Sequence, residues 1–156
     1  MIEDILDLIA YIKHCEVEGT NKNKVLFLGE ISEFTTSKIK QQSGIDLEGF
    51  QISVDAYGVK HVLQGHGDKR RENQRGQQAV KEEDFELMVK IVNNPEIIFF
   101  DGTDRLGRDC FQFQATFANK YVIIMEIRTG RKQLALKTMR IFTIKKENQN
   151  FNFDSL

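Results

Sequence analysis

From Ile97 to Ile144 the chain repeats one kind of unit: a short β-branched or aromatic run, closed by turn-forming residues. Ile97 to Phe100 is apolar, and a turn-rich loop follows from Asp101 to Asp109. Cys110 to Phe117 alternates, with Phe111, Phe113 and Phe117 set against Gln112, Gln114 and Thr116. Ala118-Asn119-Lys120 and Thr129-Gly130-Arg131 separate it from Tyr121 to Arg128 and from Gln133 to Ile144. A side-chain period of two marks strands, and links this short join antiparallel neighbours. The stretch therefore predicts a four-stranded antiparallel meander. Such a sheet must cover at least one face with a second layer.

The upstream sequence supplies that layer. Ile2, Ile5, Leu6, Ile9 and Ile12 recur at helical spacing, so Ile2 to Cys15 predicts an amphipathic helix, broken by the polar stretch from Gly19 to Asn23. Lys24 to Ile31 predicts a short strand, Glu33 to Gln42 a polar helix ending near Gly44, and Gly49 to Val54 a weakly alternating segment. Asp55 is a good N-cap for a helix carrying Val59, Val62 and Leu63, which Gly65-His66-Gly67 is expected to end. Asp68 to Gln78, charged and glutamine-rich, reads as an exposed mobile loop. Lys81 to Asn93 predicts a helix with Phe85, Met88, Val89 and Val92 inward, closed by Asn94-Pro95. The acids in its first turn, Glu82, Glu83 and Asp84, complement the helix dipole. The expected class is α+β: helices packed on a four-stranded antiparallel sheet, with an N-terminal helix and strand addition. One domain is expected over 1–156, made of an acidic addition (1–50), a core (51–146) and a polar tail (147–156) in which Phe151 and Phe153 could dock.

Several classes are excluded by composition. No apolar run approaches the roughly 20 residues of a membrane helix, and the acidic start lacks the basic and apolar regions of a secretory signal. Cys15 and Cys110 cannot build a disulfide framework, and no CxxC pair offers a zinc site. A cytoplasmic, reducing setting is expected, without cofactor or metal and without a membrane partner. No phosphate-cradling GxxxxGK[ST], dinucleotide GxGxxG or GxSxG elbow is present.

The net charge of −1 hides a strong segregation. Residues 1–58 carry −5, 59–81 carry +4, 82–102 carry −5 and 103–146 carry +7. Two basic blocks around an acidic one can meet as a positive surface that attracts phosphates. Equally, such runs commonly do no more than keep a face in water. If RNA is the partner, Lys69, Arg70, Arg71 and Arg75 of the polar loop, and Arg128, Arg131, Lys132 and Lys137 of the last strands, are the cations to hold it.

Histidine is scarce, at His14, His61 and His66, and two of the three fall within six residues beside Gly65 and Gly67. On a continuous helix, residues five apart point about 140° from each other. A glycine break between them would let the two rings converge for acid–base work, which suits imidazole near neutral pH. The competing reading has His61 against the apolar face and His66 capping carbonyls. His14 reads as surface or core filling. In the last strand, simple alternation puts Thr138 and Arg140 on one face, where hydroxyl and guanidinium can clamp a phosphate, and Lys137 on the other. Glu126 and Arg128 share a face of the preceding strand and could neighbour that clamp.

Four pieces carry a resemblance: HVLQGHG (61–67), RGQQAV (75–80), KEEDFELMVKIVNNPEII (81–98) and LALKTMRIF (134–142). Together, from His61 to Ile144, the chain resembles the phage-type Barnase–EndoU–colicin–RelE (PBECR/BECR) nuclease-like family. The resemblance implies helices on a four-stranded antiparallel sheet and a metal-independent endoribonuclease of toxin or phage-effector type. It further implies His61, His66 and Thr138 as site residues, with Lys137 and Arg140 at the phosphate. RNA, such as tRNA, is then the expected substrate, and an immunity or antitoxin protein a candidate partner. The alternative is a non-catalytic module that holds RNA or a protein on the nuclease fold.

Overall fold

The computed structural model describes residues 4–19 and 22–144. Its elements in chain order are α1 (Ile5–Glu18), β1 (Val25–Glu30), α2 (Glu33–Ser43), β2 (Gln51–Asp55), α3 (Ala56–His66), α4 (Lys69–Gln74), β3 (Gln77–Gln78), α5 (Asp84–Asn93), β4 (Ile97–Thr103), β5 (Asp109–Phe117), β6 (Asn119–Arg128) and β7 (Gln133–Phe142). The proposed docking of Phe151 and Phe153 lies outside the described residues.

The meander forms as its alternation dictates, β4 to β7 pairing antiparallel in sequence order. The sheet is larger than the four strands expected. Among the described residues it has seven, in the order β1-β2-β7-β6-β5-β4, with β3 also on β7. The class remains α+β, but β2 runs parallel to β7, pairing Gln51, Ile52 and Ser53 with Gln133, Leu134 and Ala135. A parallel partner arrives through a crossover, so no local turn signal announces it.

Phe111, Phe113, Ile123, Met125, Leu134, Leu136, Met139 and Ile141 all point to one face and are buried in a single core. Ile5, Leu8, Ile9 and Ile12 of α1, Ile39 of α2, and Phe85, Met88, Ile91 and Val92 of α5 close over that face. Truncating one of the fully buried phenylalanines to alanine costs about 3–5 kcal/mol. The opposite face of the meander carries no helix among the described residues. It is called the outer face below.

Local chemistry sets the helix ends. Asp4 and Ser32 cap the starts of α1 and α2, and Gly19 and Gly44 close them at φ of 70° and 76°. Asp84 does more than complement a dipole. It is buried, one carboxylate oxygen accepting from the Lys81 backbone N–H and the other from the Tyr121 hydroxyl, both at 2.8 Å. Burial first, and then this bond, push the Tyr121 phenol up. The exposed edge of β4 is occupied by the Gln42 amide, which donates to the Ile98 carbonyl at 2.8 Å and accepts from Phe100 N–H at 3.0 Å.

Two expectations fail in the crossover between β2 and β3. The helix does not break at Gly65. It continues through His66, and Gly67 closes it with a right-handed φ of −98°. Asp68 to Gln78 is not a loop throughout. Asp68 caps α4 by accepting from Arg71 N–H at 2.8 Å, and β3 pairs with Phe142 and Ile141 of β7. The buried anchor of this segment is Glu72, whose side chain is wholly inaccessible.

Candidate nucleic-acid interface

β2 and β3 pair with the same edge of β7, at its start and at its end. α3 fills the gap between them and packs on β7 more than on any other element. Gly58 makes the contact close: a Cβ there would lie 2.8 Å from the Leu136 carbonyl oxygen. Asp55 fixes the start of α3. One carboxylate oxygen accepts from Gly58 N–H at 2.7 Å and the other meets Arg128 at 2.8 Å.

With Gly58 facing β7, the helical repeat of about 100° per residue places every other side chain of α3. Val62 and Val59 turn about 40° and 100° to one side, and both are buried in the core. His66 lies about 80° to that same side. His61 lies about 60° the other way, toward the outer face, and is exposed. The two imidazoles therefore do not converge. His66 is instead held by Glu72, Nδ1 to Oε2 at 3.3 Å, with its own side chain only 17% exposed. Its backbone carbonyl accepts from Val80 N–H at 2.8 Å. Arg75 binds the other Glu72 oxygen at 3.1 Å and donates to the Gly65 carbonyl at 3.3 Å, while Arg71 donates to the Gln64 carbonyl. Arginines, and not His66, thus satisfy the open carbonyls at this helix end. Lys69 and Arg70 are exposed on α4.

The last strand holds a second correction. The β6–β7 register shifts between Ile124↔Thr138 and Met125↔Leu136, leaving Lys137 as the extra residue of a β-bulge. Leu136 and Met139 both face the core, so Lys137 and Thr138 are both turned outward. Lys137 consequently joins Thr138 and Arg140 on the outer face, where simple alternation would separate them. The sequence does carry this signal: the apolar positions Leu134, Leu136, Met139 and Ile141 step by two, then three, then two.

Beside them runs a chain of alternating charge. Arg108 meets Glu126 at 2.9 Å, Glu126 meets Arg128 at 3.0 Å, and Arg128 meets Asp55. Burial alone would lower the Arg128 guanidinium, but hydrogen bonds to Asp55 and Glu126 hold it above its ordinary value. Its Nε is buried with no hydrogen-bond partner. Lys137 reaches Asp104 at 3.4 Å. Backbone N–H groups of Arg108 and Leu106, with the Lys137 charge, hold the Asp104 carboxyl below the usual range. Asp55, Tyr57, Arg108, Arg128, Arg131 and Lys137 surround a cleft of about 290 Å³ here. Arg128 is thus largely spent within the fold, and Lys132 lies near Gly49 at the far end of β7.

Arg108, within the expected Asp101–Asp109 loop, also lines this cleft. It stands on the outward phase of Cys110, Gln112 and Gln114, which is the pattern that could have found it. Burial pushes the Cys110 thiol up, which argues against a reactive cysteine. Among the described residues no group of three or more His, Cys, Asp or Glu side chains is arranged to hold a metal ion. No described helix is long and apolar enough to cross a membrane.

No curated protein and no solved structure matches the chain significantly. A family model does match, and its span of residues 29–149 starts before the His61–Ile144 stretch and takes in the last two residues of β1, then α2 and β2 with the meander. The chain belongs to the phage-Barnase-EndoU-ColicinE5/D-RelE like nuclease 3 family (PBECR3).

Proposed function

We propose that the protein is an endoribonuclease whose site is the outer face of β6 and β7, flanked by α3. The observation that carries this reading is the β-bulge at Lys137, which turns a half-buried ammonium, hydroxyl and guanidinium to one face of the sheet, on the strand against which α3, with its exposed His61, packs. A scissile phosphate over Thr138 is bound by its hydroxyl and by Arg140. His61 takes the proton of the ribose 2′-hydroxyl as that oxygen bonds to phosphorus. Lys137 and Arg140 stabilise the phosphorane charge. As the bond from phosphorus to the 5′-oxygen breaks, the Lys137 ammonium gives that oxygen its proton. The products are a 2′,3′-cyclic phosphate and a 5′-hydroxyl, and each proton is accounted for without a metal. In this reading His66 positions α4 through Glu72 and touches no substrate. A toxin or phage-effector role fits such chemistry, and an immunity or antitoxin protein would act by covering this face.

Purified protein incubated with total RNA should give EDTA-resistant fragments ending in 2′,3′-cyclic phosphate, and His61→Ala should abolish them. RNA left intact from acid to mildly alkaline pH would overturn the enzyme. Salt-sensitive RNA binding that survives His61→Ala without any product would leave a binding module in its place.

A further inference from the structure

The pairing register lines up outer-face residues in rows across four strands. Phe99 pairs with Gln112, Gln112 with Ile124, and Ile124 with Thr138. The next row is Ile97, Gln114, Val122 and Arg140. At about 4.8 Å between strands, the glutamines lie roughly 10 Å from Thr138 and Arg140, and Phe99 and Ile97 roughly 14 Å.

We propose that these rows are a nucleobase subsite for the residue flanking the cleaved phosphate. This rests on the ribonuclease reading above and adds the part that selects the RNA base. Half-buried Ile124 is the apolar floor directly beside Thr138, while Val122, paired with Arg140, is buried beneath its neighbours. Beyond it the Gln112 and Gln114 amides are locked together, Gln114 Nε2 donating to Gln112 Oε1 at 2.6 Å. That bond uses one of several hydrogen-bonding positions on each amide, so the pair still presents donors and acceptors to a base edge. Phe99 is 37% and Ile97 50% exposed at the far end, on a strand whose core-facing neighbours Ile98 and Phe100 pack inward or against Phe111. An exposed aromatic and an exposed isoleucine bordering a polar pair and a cation suit an unpaired base, which offers a π-face and a polar edge together. A single nucleotide reaches from Thr138 to the glutamines, through its ribose, to the Watson–Crick edge of its base. A paired helix cannot offer that edge, so the subsite takes single-stranded RNA.

The test uses short RNAs with one cleavable ribose, each of the four bases being placed beside it in turn. The wild type should prefer one base. Phe99→Ala should lower kcat/KM about tenfold, mainly through KM, as loss of roughly 1.4 kcal/mol of stacking requires. Phe99→Leu, which keeps apolar bulk, should recover little of it. Gln114→Ala should flatten the base preference while cleavage continues. Preference and kcat/KM within twofold of wild type in all three variants would overturn the subsite and leave the ribonuclease standing. The second arm titrates non-cleavable deoxydinucleotides into the full chain, followed by NMR. If no RNA is cut, base-dependent binding weakened by Phe99→Ala still supports the subsite. Binding that is absent, or equal in wild type and variants, rejects it.

Discussion

The separation of the two histidines makes opposite demands on two alanine substitutions. His66→Ala removes the partner of a carboxylate that is fully buried, leaving Glu72 with Arg75 at 3.1 Å. Hydrogen bonds to buried charged groups contribute about 1.5–3 kcal/mol. The 3.3 Å separation and the remaining arginine favour the lower end, so about 1.5 kcal/mol is expected. At about 2–4 °C per kcal/mol for a chain of this size, Tm should fall by about 3–6 °C. Residual activity, measured well below that Tm, should stay within a few-fold of wild type. His61 is exposed, so His61→Ala should change stability by no more than about 0.5 kcal/mol. It should instead cost about 10²–10⁴ in rate, the usual contribution of a positioned proton-transfer group. Calorimetry and initial rates on one RNA substrate decide the matter. If His66→Ala keeps its Tm and loses activity as His61→Ala does, the assignment of His66 to structure is wrong.

Other outcomes follow from single contacts. Gly58→Ala gains about 1 kcal/mol of helix propensity, yet its Cβ would sit 2.8 Å from the Leu136 carbonyl oxygen. Net destabilisation of about 1–3 kcal/mol by chemical unfolding is expected, together with reduced RNA cleavage as α3 is displaced; a neutral or stabilising effect would contradict the close packing. Asp104 is held low in the fold, so its contribution is present above the unfolded carboxylate value of about 3.9 and lost as pH falls through the folded one. The stability gap between wild type and Asp104→Ala should therefore narrow steadily in acid, and a gap that widens there would reverse the sign. Gln42→Ala uncovers the β4 edge and should raise aggregation at high concentration, read by light scattering, more than it lowers Tm.

Local physics was legible where neighbours in sequence are neighbours in space. The caps at Gly19, Gly44 and Asp55, the stripe of α5, and the strands around Phe111 and Phe113 all follow from residues a few positions apart. What was hidden is long-range. Nothing near Gln51 indicates that its partner is Gln133, and nothing in KRRENQ indicates that Glu72 alone is buried. For the histidines, a glycine signals a break, yet Gly65 is tolerated inside a helix held by Asp55 at one end and by Arg71 and Arg75 at the other. The outward-facing group on β7 was half visible. Thr138 and Arg140 follow from alternation, whereas Lys137 required noticing the three-residue step between Leu136 and Met139.

The place of β7 between β2 and β6 has a consequence for how the protein comes into being. Ser53 and Gln133, which touch across the parallel seam, are 80 positions apart, so closing it demands a large loop entropy before any reward arrives. The β6–β7 pairing is local and brings Lys137, Thr138 and Arg140 together early, but α3 and His61 reach that strand only when the seam to β2 closes. On the ribonuclease reading, the proton-transfer group therefore meets the phosphate-binding residues only in the late event that completes the sheet, and the nascent chain stays inactive until then.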